Sequence, residues 1–421
     1  MISHEYADSG LSHRLKHACL ARGKQSHYLP VDEAWEIAWE EGRNIGVKRI
    51  ADITGYDRVG IPVFNSIKPT TCGSSVQHGK GLTRMASKIS ALMESLERFH
   101  SVNPDIEAFE ATYNEVASDM AVIPFERLLH TRGGLLNKDM PILWTVGWDL
   151  ANHEKTAAPL AMVELAGRRS QDKTFKTGHM QASSNGLAAG FHILEAISQG
   201  LLEIIERDGI TCHTFKSGAL NLPIPEKWID LESIPYPEVI GLAETYIRAG
   251  ITPHLYDCTT DVGIPVYNCF LFDNQHPEYM CVHGMGAGMR SRDAMARALT
   301  ESAQSRAVFN AGSRDLLFRE EFETTSCSSS QSVYRIARKQ KKYPFSPEND
   351  MEETNDYSIQ INHCIDRLKG VGLNQVIVFP LVPETASIQV VRVIVPGAEG
   401  YTVSSYHPRE RALNYLKGVK S

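Results

Sequence analysis

The chain has 421 residues, 42% of them hydrophobic, which is ample material for a core. Lys and Arg number 43 against 50 Asp and Glu, a net charge of -7, and this argues against nucleic acid as the main partner because phosphate-backbone affinity needs clustered cations. Met1 to Tyr6 place no basic stretch ahead of an apolar run, and no span of about 18 apolar residues follows, so neither export nor membrane insertion is expected and a cytoplasmic protein is.

In chain order, residues 1 to about 60 read as mainly helical, with an amphipathic run from Val31 to Asn44 after Pro30. Asp57 to Asn65 reads as a strand, Gly79-Lys80-Gly81 as a glycine turn, and Ser90 to Arg98 as part of a helix. A polar connection covers about 103 to 137. Ala158 to Val163 reads as the next strand, Ser183 to Gly190 as a glycine turn, and His192 to Asp208 as a helix. A third set follows: a helix at Ala243 to Arg248, a strand at Thr252 to Tyr256, the apolar segment Asp261 to Asn268, the glycines 284, 286 and 288, and a helix through Arg306. From 311 to 355 the pattern breaks into Ser-, Lys- and Pro-containing stretches, and a mobile excursion is expected. A helix near Ile359 to Leu368 and strands at Gln375 to Val378 and Gln389 to Val395 restore regular structure, and 401–421 reads as a C-terminal tail.

No linker divides the chain, so one large fold is expected rather than separate beads. Eight cysteines are scattered without a C-x-x-C, and the sixteen histidines form no H-E-x-x-H, so neither a redox dithiol nor a zinc site is indicated. Cys212 beside His213 reads as a core thiol.

Three helices carry acids at three-residue spacing: Glu94 with Glu97, Glu203 with Glu206, and Glu301 with Gln304 in place of the second acid. Positions three apart share a helix face. A single E-x-x-E is ordinarily a solvated face, but Asp57-Arg58-Val59-Gly60-Ile61-Pro62-Val63 and Asp261-Val262-Gly263-Ile264-Pro265-Val266 repeat upstream of the first and third. Three strand, glycine turn, acidic helix units in succession predict carboxylates converging on hard divalent cations, Mg2+ on a nucleotide triphosphate foremost. The first two helices then supply acids for metal, and the third turns to the nucleotide. A Walker A loop and a G-x-G-x-x-G after a strand are both absent, and Gly284-x-Gly286-x-Gly288 leaves a dinucleotide site as a minor alternative.

Gly79-Lys80-Gly81 with Ser90 to Arg98, Ser184 to Gly190 with Glu203-x-x-Glu206-Arg207-Asp208, and Ala298 to Arg306 together resemble the YcaO family, over about 61–400 and in order. The resemblance implies a mixed α/β (α+β) fold of pseudo-repeated units around one ATP cleft. It implies ATP and Mg2+ as cofactors, and activation of a peptide backbone amide oxygen while a nucleophile adds to the carbonyl carbon. A Cys, Ser or Thr side chain gives an azoline, sulfide a thioamide, and an amide nitrogen an amidine. By the same resemblance Glu94, Glu97, Glu195, Glu203 and Glu206 hold Mg2+, and Ser90 and Arg207 lie near the phosphates. Glu301, Gln304 and Arg306 contact the nucleotide, the arginine as a phosphate clamp. Lys24 is a phosphate-reaching lysine or a solvated one.

No catalytic base is implied. Asn414 to Ser421 lack the P-x-P-x-P ending common in azoline-forming members, whereas Ile53 to Val63 resemble the subgroup that installs thioamides beside a TfuA-like protein, as in methyl-coenzyme M reductase or peptide natural products. The implied partners are a peptide or protein substrate, a TfuA-like or separate peptide-recognition protein and a sulfide donor, with a homodimer left open. A nucleotide-binding accessory subunit without amide chemistry is the alternative of another class.

Overall fold

The computed structural model describes residues 11, 15–23, 27–69, 75–128, 136–165, 180, 183–219, 227–276, 281–313, 339–400 and 408–418. Its first long helix, α1 (Val31–Asn44), has the bounds its apolar spacing predicts. Asp32 and Glu33 sit in the first turn and Arg43 in the last, matching the helix dipole at both ends. The rest of the predicted helical N-terminal segment differs: β1 (Arg49–Asp52) already belongs to the first repeat. β1 pairs antiparallel with β2 (Val63–Ile67), and β2 with β3 (Val76–Lys80). α2 (Arg84–Val102) follows, its N-terminus capped by Thr83, whose side chain accepts the Ala86 N–H.

The repeated Gly-Ile-Pro segment is a turn feeding a strand rather than a strand throughout. Gly60 and Gly263 take φ of 80° and 68° at matching places, a conformation that glycine adopts without a Cβ penalty.

The polar connection is structured in part. β4 (Phe109–Ala111) and β5 (Ala121–Val122) flank a two-turn helix, Tyr113–Asp119, closed by a capping box between Thr112 and Glu115. β4 pairs with β6 (Ile142–Asp149), and β5 with β7 (Glu154–Pro159). The expected strand Ala158 to Val163 ends at Pro159, and Leu160–Val163 is a helical turn. The true strand of the middle unit is β8 (Leu187–Gly190), directly ahead of α3 (Ile193–Ala219).

The third unit comprises β9 (Lys227–Ile229), α4 (Pro237–Arg248), β10 (Ile251–Asp257), β11 (Val266–Asp273), β12 (Val282–Ala287) and α5 (Ser291–Asn310). β10, β11 and β12 repeat the antiparallel order of β1, β2 and β3. Of the expected excursion, 314–338 lie outside the described residues, while its end is tied down. β13 (Lys342–Tyr343) pairs parallel with β9, and Asp350 accepts from the Ser291 N–H at 2.7 Å, the Ser291 hydroxyl at 2.6 Å and the Tyr236 hydroxyl at 2.9 Å.

α6 (Tyr357–Lys369), β14 (Ile377–Pro380), β15 (Gln389–Ile394) and α7 (Glu410–Lys417) complete the chain. The largest sheet runs β5-β7-β6-β14-β15-β8, with β4 on β6. The middle unit therefore takes its partner strand from far along the chain: β8 pairs with β15, Ala189 opposite Val390. Every residue of β15 is buried, as suits a strand covered on both faces. The predicted tail is likewise integral, because Arg411 and Ala412 of α7 are buried.

α3 packs Ile197, Leu201, Ile204 and Ile205 with Val391 and Val393 of β15. α2 sets Leu92 and Leu96 with Phe379 and Val390, and α5 sets Ala298 and Leu299 with Leu255 and Tyr267. Among the described residues, no helix is long and apolar enough to cross a membrane.

Candidate functional site

Gly79, Gly190, Gly284 and Gly286, expected in turns, lie within strands, where such glycines set the three acidic helices on their sheets. A Cβ on Gly79 of β3 would stand 2.1 Å from the Ala91 nitrogen and 2.2 Å from the Ser87 oxygen. On Gly286 of β12 it would stand 2.2 Å from the Ala294 oxygen and 2.7 Å from the Ala298 nitrogen. Only bare backbone allows helices this close. Gly190 and Gly288 match in the same way, a Cβ there meeting the Ala196 nitrogen at 2.8 Å and the Ala294 nitrogen at 2.9 Å.

These contacts fix the register of the repeat: Ser87, Ala196 and Ala294 are equivalent, so Glu94, Glu203 and Glu301 are too, as are Glu97, Glu206 and Gln304. A third equivalent set, which the sequence reading missed, is Ser90, Gln199 and Arg297.

Each unit reaches into the next. Glu97 of α2 accepts the Ala189 N–H of β8 at 2.9 Å, and Glu206 of α3 accepts the Ala287 N–H of β12 at 3.1 Å. Ala189 and Ala287 hold one strand position, immediately before Gly190 and Gly288. The corresponding residue of the first unit is Lys80, and its ammonium pairs with Glu301 of α5. The Lys80 N–H also faces the Ser90 hydroxyl at 3.4 Å. Three units thus close a ring, and the acidic faces line its inside.

The charges there do not balance locally. Arg98 stands 3.8 Å from Glu94, and Arg207 stands 3.8 Å from Glu203 and 3.5 Å from Glu206, each pair half-exposed or better covered. Burial, then Glu94 and Glu203, push Glu97 well above the usual carboxylate range. Burial raises Glu203 to about 7 against the pull of Arg207. Burial also raises Glu206, with Arg207 opposing and Glu301 adding to the rise. Glu301 is the exception: although burial opposes it, Lys80 and Arg207 hold it below the usual range. Across α2 and α3, carboxylates exceed nearby cations, and a bound cation would relieve them.

Not every predicted residue joins this cluster. Glu195 is buried at the start of α3, where its oxygens accept the Tyr28 N–H at 3.0 Å, the Phe191 N–H at 2.8 Å and the Tyr357 hydroxyl at 3.2 Å. Although burial opposes it, His27 and these N–H donors hold its carboxyl low. These bonds tie the N-terminal segment and α6 to the start of α3.

Arg306 corrects the phosphate-clamp expectation. Its Nε and Nη2 each donate to Asp57 at 3.0 Å, and Nη2 also reaches Asp273 at 3.4 Å, all three side chains being buried. The guanidinium is spent on tying α5 to the turn between β1 and β2. Gln304 stands in the position of Glu97 and Glu206 but carries no charge, and Lys24 lies outside the described residues. Cys212 is buried and burial pushes its thiol up, the state of an inert core thiol.

Lys80, Gln199 and Arg297 are the site residues that sequence reasoning passed over. Arg297 donates to Gln199 at 2.7 Å, joining α5 to α3. Extending the repeat alignment four residues upstream of each first acid would have found Gln199 and Arg297.

The donor set fits Mg2+. All the candidate ligands are carboxylate oxygens, the hard donors Mg2+ prefers, and their like-charge crowding leaves room for cations. Among the described residues no three His, Cys, Asp or Glu side chains close on a single point. That suits an ion held by one or two carboxylates plus phosphate and water better than one caged by protein alone.

A family model described as YcaO cyclodehydratase, ATP- and Mg2+-binding, matches residues 78–399. A protein of Rhizobium leguminosarum bv. trifolii from the tfuA 3′ region is 29% identical over 391 residues, 90% of each chain. One from Methanothermobacter thermautotrophicus is 30% identical over 372 residues, 85% of this chain and 91% of its own.

The solved structure of YcaO from Methanopyrus kandleri bound with AMPPCP and Mg2+ matches at a TM-score of 0.70 and 22% identity, covering 93% of this chain and 99% of that one. A heterocyclase in complex with substrate and cofactor matches at 0.74 and 19%, covering 93% of this chain. The chain spans 55% of that heterocyclase's length, and both likenesses show the fold alone.

Proposed function

This chain belongs to the YcaO family, and on that premise we propose that it activates a backbone amide of a peptide or protein so that sulfide adds to the carbonyl carbon and a thioamide results. ATP and Mg2+ are the cofactors of the family. The observation that carries the thioamide reading is the relative from the tfuA 3′ region, which runs beside this chain for 90% of both lengths. Ile53 to Val63, in the first unit, add to it.

An amide is a poor electrophile and its oxygen a poor leaving group; ATP, held with Mg2+, supplies the phosphoryl group that lets that oxygen depart. The protein's share is positioning and charge neutralisation. In this reading Glu94, Glu97, Glu203 and Glu206 hold Mg2+, and Glu195 joins them on releasing its Tyr28 or Phe191 N–H. Ser90, Arg207, Glu301 and Gln304 contact the nucleotide, and Arg207 carries a fixed positive charge between two of the acids. Lys80, by pairing with Glu301, keeps α5 against β3 and so holds the ring shut around the phosphates. Lys24 supplies one more positive charge to the phosphates. A TfuA-like partner delivers the sulfur or presents the peptide.

Azoline formation is the second reading, favoured by the family model's own description as a cyclodehydratase. The test is product mass after incubation with peptide, sulfide, ATP, Mg2+ and a TfuA-like protein. Exchange of oxygen for sulfur raises the mass, whereas cyclodehydration lowers it by one water. A preparation that consumes no ATP in the presence of peptide, and in which Glu206→Gln alters nothing, would leave a nucleotide-binding accessory protein in place of an enzyme.

A further inference from the structure

One buried cation beneath the acidic helices has no part in the roles above. Arg392 of β15 lies opposite Leu187 of β8 and is 1% exposed. Its Nε donates to the Val163 carbonyl at 3.0 Å and its Nη1 to the Asn185 carbonyl at 2.9 Å. Its Nη2 is shut off from solvent and has no hydrogen-bond partner among the described residues. The side-chain oxygen of Asn185, in the turn that leads into β8, is buried and unpartnered among them as well. A sheet interior is a costly place for a guanidinium with an idle N–H, so the residue asks for a reason.

The charges that act on it are Glu203, Arg98 and Glu97. Glu97 comes from α2 and is held on Ala189, two residues along β8 from Leu187; Glu203 comes from α3. Arg392 therefore lies where the first two acidic helices meet. Glu94, Glu97, Glu203 and Glu206 of the first two acidic helices outnumber those helices' cations, Arg98 and Arg207, and Arg392 narrows the difference. A lysine or histidine this deeply buried would shed its proton; a guanidinium stays charged.

We propose that Arg392 is a positioning residue of the site, a permanent cation clamped by the Val163 and Asn185 carbonyls that offsets Glu97 and Glu203. It weakens the pull of the bare carboxylates on free Mg2+, so that the ion is taken up together with its phosphate. The proposal rests on reading the acidic cluster as the Mg2+-nucleotide site, and it adds a residue from outside the three acidic helices.

The test is calorimetric titration of the full-length protein at alkaline pH, first with Mg2+ alone and then with a non-hydrolysable ATP analogue plus Mg2+, beside thermal melts. Arg392→Met is expected to bind Mg2+ alone about tenfold more tightly, because a unit positive charge acting on Glu97 and Glu203 is removed, and to bind the nucleotide complex more weakly. A purely structural role would weaken both together in step with the fall in melting temperature, and that result overturns the proposal, as does no change in either. Arg392→Lys sheds its proton at this depth and pH, so it too is expected to bind Mg2+ alone about tenfold more tightly than the parent; an affinity within about twofold of the parent overturns the proposal even where Arg392→Met does not fold. Should the parent bind the Mg2+-nucleotide complex while the variants break these expectations, only the role of Arg392 fails. Should the parent bind neither, the reading of the site fails with it.

Discussion

α3 carries two buried charge clusters on opposite faces, and they are built to different ends. On one face Glu203, Glu206 and Arg207 look into the ring, with acids in excess and carboxyls pushed upward. On the other, beginning at the next residue, Asp208 accepts from Arg411 at 3.2 Å and from the Glu399 N–H at 2.9 Å. Glu399 in turn accepts the Arg409 and Ala412 N–H groups, each at 2.9 Å, and Arg411 also donates to Asp261 at 3.0 Å. There each acid has a donor and each donor an acid, and the cluster locks α7 to α3. A finished ion cluster holds a fold together, while an unfinished one leaves work for a ligand.

Breaking the finished cluster should cost the most. Arg411→Met strands Asp208 and Asp261, and a loss of about 3–5 kcal/mol is expected in denaturant unfolding, with nucleotide affinity of the folded protein unchanged. A loss below about 1 kcal/mol would mean that α7 is not locked in the way described.

In the unfinished cluster the order of effects inverts. Glu206→Gln should lower peptide-dependent ATP turnover by about a hundredfold or more, as for removal of one group that meets developing charge, while unfolding stability holds or rises. Parallel losses of turnover and stability would erase the distinction between the two faces.

The smallest effect is also the most diagnostic. Glu203 is raised from 4.5 to about 7, so as pH climbs through that window the unfolded chain ionises first and the ligand-free fold loses stability. Glu203→Gln removes this loss. The ligand-free variant should exceed the parent by about 1–2 kcal/mol at pH 8, after allowance for partial exposure, and converge with it below 4.5. Saturating Mg2+-nucleotide should reverse the difference. Melting curves that stay parallel at every pH would show that Glu203 meets no such crowding.

Much of this was legible before the structure. The three-residue spacing of the acids, the helix at Val31–Asn44 and the repeated Gly-Ile-Pro turn all follow from local periodicity and glycine conformation, which neighbouring residues impose on one another. The glycines were read as turns because a sequence shows where side chains are missing but not what fills the gap, and here it is the backbone of α2 and α5. Arg306 looked like a phosphate clamp. It was diverted by acids far along the chain, Asp57 and Asp273.

By itself the sequence determined that three units alternate strand and helix, and that each helix presents a polar pair on one face. Spacing is a property of neighbours on the chain. Only the tertiary structure decided that these faces meet in a ring, that Lys80 closes it on Glu301, that β15 fills the middle unit and that Arg392 lies beneath the acids. Hydrogen bonds and ion pairs are settled by which unsatisfied groups come within about 3 Å of each other, and for these residues the partners stand in other units.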